Sequence, residues 1–138
     1  MTNGSLITTK GKNILLYRAY TENADLSTTE YLAPSQFKVG VSNGTPNVAD
    51  TDLDTPVIIS GGLYLGDFSS GYPAFDHANN EVTIRCYLNS LQANGNLINA
   101  LGIFNKDTSS LMTGEDVFTG ESKSDTDEFV FVIKNRVL

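Results

Sequence analysis

In the run EVTIRCYL, residues 81–88, apolar and polar side chains alternate without exception. Val82, Ile84, Cys86 and Leu88 fall on one side, and Glu81, Thr83, Arg85 and Tyr87 on the other. Successive side chains of an extended chain point to opposite faces, so this run is a strand with one face buried and one wet. A helix with this pattern would scatter its apolar groups around its axis. The run EFVFVIKNRVL, residues 128–138, is apolar without a break from Phe129 to Ile133 and is expected to be a strand that buries Phe129, Phe131 and Ile133, with Val130 and Val132 behind. Two such runs commit the chain to sheets that need a second layer over their apolar faces.

Other segments extend the pattern. QFKVGV places Phe37, Val39 and Val41 on one face. TPVIIS and LYLGDF flank Gly61-Gly62, the composition of a tight hairpin turn whose residues need positive φ. LINALGIF reads as helix or buried strand, with Asn99 and Gly102 favouring strand, and EDVFTGES reads as a further strand. SSGYPAFDHANN and NSLQANGN are turn-rich punctuation. One segment is helical: TTKGKNILLYRAYTE, capped by Thr8 or Thr9, with a broad apolar stripe from Ile14 to Tyr20 and a first turn weakened by Gly11. Residues 1–9 form a short polar arm with only Leu6 and Ile7 as apolar anchors. The expected fold is therefore mainly β, a β-sandwich or barrel-like domain of short antiparallel strands with one N-terminal helix. A length of 138 residues, 40% of them apolar, suits one such domain with one core.

Charge and cysteine content narrow the function classes. The net charge is −7, and between Lys38 and Arg85 there are six acids and no Lys or Arg. Such a surface repels nucleic acid and anionic lipid. The lone cysteine, Cys86, cannot form an internal disulfide and sits on an apolar strand face, where a thiol acts as a small hydrophobe. No apolar run approaches membrane-spanning length, and no basic segment precedes an apolar leader. The chain is expected to be made in the cytoplasm.

Several stretches imitate chemical motifs. Asp50, Asp52 and Asp54 open like a calcium loop, but the positions that should hold Gly and Glu are Thr55 and Gly61. The simpler reading is a turn in which the carboxylates accept from nearby backbone N–H groups. KGKN lacks the earlier Gly and the following Ser or Thr of a phosphate loop. His77 follows Asp76, yet no nucleophile elbow accompanies them, so a hydrolase built on His77 is a distant reading beside that of an exposed loop histidine. No Cys and His spacing suits zinc. No catalytic, metal or cofactor-binding residues are assigned, and no cofactor is expected.

Taken in order, LITTKGKNILLYRAY, FKVGVSNGTPNVADTDLDTPV, GYPAFDHANNEVTIRCYLNSLQANGNLINALGIFN, LMTGEDVFTGESK and FVFVIKNR give the chain a nearly end-to-end resemblance to tailed-bacteriophage virion proteins. It resembles in particular the N-terminal domains of tail-fibre and tail-collar fibre proteins. It departs from them at Ala100-Leu101, where such domains often carry Glu before GIF or GLF. The resemblance implies a non-enzymatic virion structural protein, made in the bacterial host, that packs against other tail, baseplate or capsid proteins. It also implies a homo-oligomer, with a trimer favoured by analogy with fibres. A capsid decoration protein is the nearest rival, and a host-glycan-binding module is one from another class. Candidate assembly contacts are Leu6 and Ile7 of the arm, the loop carrying Asp50, Asp52 and Asp54, and the loop carrying His77.

Overall fold

The computed structural model describes residues 4–106 and 111–137. Strand β1 (Gly4–Ile7) leads into helix α1 (Thr9–Tyr20), and a single 3₁₀ turn (Thr29–Tyr31) precedes β2 (Pro34–Val41). Three short strands follow, β3 (Thr55–Pro56), β4 (Gly66–Asp67) and β5 (Ala74–Asp76). The long strands are β6 (Glu81–Leu88), β7 (Asn96–Asn105), β8 (Met112–Lys123) and β9 (Phe129–Arg136).

All strand pairs are antiparallel and fall into two sheets. The larger runs β1-β8-β7-β2-β3, with β4 also on β2, and the smaller runs β5-β6-β9. One core lies between them. Phe37, Val39, Leu101 and Ile103 of the large sheet pack with Ile84, Cys86 and Leu88 of the small one, joined by the half-buried Phe129, Phe131 and Ile133. This is a β-sandwich-like domain with one N-terminal helix. A second, smaller cluster of Leu53, Ala100, Phe104 and Met112, with Leu65 against it, covers the opposite face of the large sheet. That double covering explains why Ile98–Asn105 of β7 is buried without alternation.

Several expectations change. The arm is not a free segment, because residues 4–7 pair with β8 from Gly4 opposite Val117 to Ile7 opposite Gly114. Residues 1–3 of that expected arm lie outside the described residues. Thr8 does cap α1, accepting from the Gly11 N–H at 3.2 Å, and its own hydroxyl donates to the Met112 carbonyl at 2.6 Å. Most of the broad apolar stripe of the helix is not buried. Of α1 only Gly11 and Ile14 are buried, while Leu15, Leu16 and Tyr20 are exposed. The Gly61-Gly62 turn forms, with φ of 56° and 77°, but it is closed only next to the turn, by bonds from Ile59 and Ser60 to Leu63. Its flanks pair with β2 instead, through β3 and β4, because β2 offers a long free edge. Ala74–Asp76, expected as punctuation, adds a third strand to the small sheet.

Candidate assembly surface

Asp50, Asp52 and Asp54 each take a different hydrogen-bond partner, and among the described residues they do not form one ligand set. Asp50 accepts from the Asn47 N–H at 2.9 Å, and Asn47 in turn accepts from Ala49 N–H at 2.9 Å, so this part of the loop is stitched by its own side chains. Asp52 takes both oxygens to Lys38 Nζ at 3.1 Å and also accepts from the Leu53 N–H at 2.9 Å. Asp54 accepts from Ser42 Oγ at 2.8 Å. Between them Leu53 drops into the second apolar cluster. The loop is therefore a lid over the large sheet, anchored by one leucine and held at its rim by carboxylates.

Sequence reasoning overlooked what lies beneath that lid. Glu115 on β8 is opposite Leu6 on β1 and Gly102 on β7, and only 3% of it is exposed. Burial pushes its carboxyl up to about 8, helped by a hydrogen bond to Asp50 and by the charges of Asp50, Asp54 and Asp116. At neutral pH Glu115 is thus mainly protonated and serves as a donor to Asp50. The structure brings Leu6, Asp50 and Asp54 to this one corner. Ile7, next along β1, is exposed.

His77 is elsewhere, in the exposed turn between β5 and β6, with its ring stacked against Phe75 at 6.4 Å between centroids. The adjacent Asp76 carboxyl is held below its usual range, mainly by the Asn79 side chain, and it also accepts from the Ala78 and Asn79 N–H groups. Asp76 therefore shapes a turn. Cys86 is fully buried, and desolvation pushes its thiol up to about 12, with a smaller contribution from Asp116.

The open side of the sandwich lies at β9. Among the described residues β9 pairs only with β6. Its outer side chains Val130 and Val132 are about half exposed, at 48% and 56%. An open cleft of about 590 Å³ runs between this strand and β8, lined by residues that include Leu101, Asp116, Phe118 and Phe131. The Phe118 and Phe131 rings meet across it at 5.6 Å. The ladder pattern shows which backbone groups are unused. Val137 N–H donates to Asn80 O at 3.0 Å, while Arg85 O accepts from Ser69 on the other side of β6 at 2.9 Å. In an antiparallel ladder bonded and non-bonded pairs alternate. Hence Phe129, Phe131, Ile133 and Asn135 bond β6, and Val130, Val132, Lys134 and Arg136 aim their N–H and C=O groups out of the sheet. The signal for this edge was present in EFVFVIKNR: an apolar run with an acid at its start and bases at its end.

Comparison with family models, curated proteins and solved structures gives no match for this chain.

Proposed function

We propose that this chain is a non-enzymatic structural protein of a tailed-phage virion, of tail-fibre, collar or adaptor type. In this reading it assembles through protein–protein contacts with its own copies and with other virion proteins. The observation that carries the reading beyond the sequence resemblance is the outward face of α1. Leu15, Leu16 and Tyr20 are 59%, 54% and 83% exposed on a helix whose inner side needs only Gly11 and Ile14 to dock. Isolated exposed apolar groups are ordinary, but several large ones on one short helix mark a surface that a partner covers. The outer residues of β9 and the Leu63-Tyr64 tip add further apolar exposure.

The experiment is to locate the chain in purified particles, by quantitative mass spectrometry of separated tails and capsids and by antibody labelling in electron microscopy. Recovery with tails, in a copy number matching the tail or collar symmetry, is the expected result. Recovery with capsids in proportion to the capsid subunit selects the decoration reading. Absence from purified particles overturns the virion reading altogether.

A further inference from the structure

We infer that β9 pairs with β9 of a second copy of this chain, antiparallel about a two-fold axis through Phe131, to form a symmetric dimer. The strand is its own complement. Glu128 stands at its start and Lys134 near its end, with Val130, Phe131 and Val132 between them. Turning a second copy antiparallel about Phe131 sets Glu128 opposite Lys134 of the other copy, Val130 opposite Val132, and Phe129 opposite Ile133. Glu128 and Lys134 then meet opposite charges, and every apolar residue from Phe129 to Ile133 meets an apolar one, while Arg136 falls opposite Thr126. Shifting the axis by one residue, to Val132, would set Val130 against Lys134 and Phe129 against Asn135.

The backbone supports the same register. Val130, Val132 and Lys134 carry the outward N–H and C=O groups, and pairing about Phe131 matches Val130 with Val132 and Glu128 with Lys134. These are the positions that exchange ladder hydrogen bonds, while the Phe131 pair at the axis is a close, non-bonded one. The inner side chains of the incoming strand fall over the cleft beside Phe118 and Asp116. The three-stranded small sheet thereby becomes one continuous sheet of twice that number across the dimer.

The present partners of the charged ends are half-buried side chains of β6. Tyr87 donates to Glu128 at 2.8 Å, and Lys134 is 4.0 Å from Glu81. An unpaired edge strand with an apolar centre and no proline is a template for another strand. A closed two-fold satisfies it without leaving a growing end. This inference does not depend on the virion reading, and either can fail alone.

The test is the mass of the purified chain by sedimentation equilibrium over a range of concentrations. The expected mass is twice 14.9 kDa. Lys134→Glu and Glu128→Lys each place like charges opposite one another at both symmetric positions and should weaken the dimer about tenfold. The double variant Glu128→Lys/Lys134→Glu should restore it. Val132→Pro removes an outward donor that β6 does not use, so it should give a folded monomer. Circular dichroism and thermal unfolding establish that each variant is folded. A monomeric or trimeric wild-type mass overturns the inference, as does a folded double variant no better associated than the singles.

Discussion

The side-chain amide of Asn99 exchanges a pair of hydrogen bonds with the backbone of Ser42. Ser42 N–H donates to Asn99 Oδ1 at 2.7 Å, and Asn99 Nδ2 donates to Ser42 O at 2.7 Å. Asn99 is fully buried and lies where the β7–β8 register shifts between Ile98 and Ala100. Its amide thus imitates a strand partner for β2 just past Val41, where the ladder with β7 has ended. Removing it would leave a buried N–H and a buried C=O unpaired. Asn99→Ala is expected to cost about 2–4 kcal/mol, read from the shift in urea midpoint at constant slope. Ser42→Ala keeps the backbone pair and loses the Oγ contacts with Asp54 and with the Gly44 N–H, so it should cost only about 1 kcal/mol. Equal losses in the two variants would refute the assignment.

Gly11 is the case where local propensity and packing oppose each other. In an exposed helix Gly→Ala stabilises by about 1 kcal/mol. Here an added Cβ would collide with the Thr113 carbonyl oxygen and lie 2.7 Å from Ile7 Cγ2. The neighbour is backbone of β8, held by the Thr8 N–H at 3.1 Å, so it cannot move aside without loosening that joint. Gly11→Ala is therefore expected to destabilise by about 1–3 kcal/mol, as overpacking does. An increase in the thermal midpoint would show that α1 is not docked as described.

Glu115 predicts the pH dependence. Its carboxyl is raised in the folded chain from 4.5 to about 8, so between those values the folded state holds a proton that the unfolded state has released. Stability from this group is complete below the lower value and is lost as pH rises through the upper one. The wild-type chain should lose stability steadily from about pH 5 to about pH 8. Glu115→Gln, which stays neutral and keeps a donor for Asp50, should flatten that slope. Urea denaturation at several pH values measures it, and an unchanged slope in the variant would remove Glu115 as its source.

Cys86 should be nearly inert in the native state. It is buried between the sheets and its thiol is pushed up to about 12, so both access and thiolate are scarce. Labelling by a thiol reagent should follow the rate of global opening, rising with urea in step with unfolding. Labelling within the mixing time would mean that the β6 face is open.

Much of the fold was legible along the chain. β6 has the expected boundaries because its alternation leaves only one way to bury Ile84, Cys86 and Leu88. Thr8 was readable as a cap from its hydroxyl and its place before the helix. The candidate surface was less legible. Leu6, Asp50 and Asp54 were readable one by one, but Glu115, the residue they gather around, reads as an ordinary strand acid until the lid is in place. His77 has no part in that corner.

Local periodicity and turn chemistry, both carried by residues adjacent in sequence, determined that the chain is mainly β with one helix, and where the long strands lie. Tertiary structure alone decided which edges pair. β1 became a strand because β8 offered it a partner, and the flanks of Gly61-Gly62 pair with β2 more than with each other. The helix exposes most of its apolar stripe because the close approach of Gly11 to β8 fixes which side faces inward. The proton on Glu115 depends on burial and on acids distant in sequence. Hydrogen-bond partners, desolvation and close contacts depend on separation in space, and no run of neighbouring residues encodes that separation.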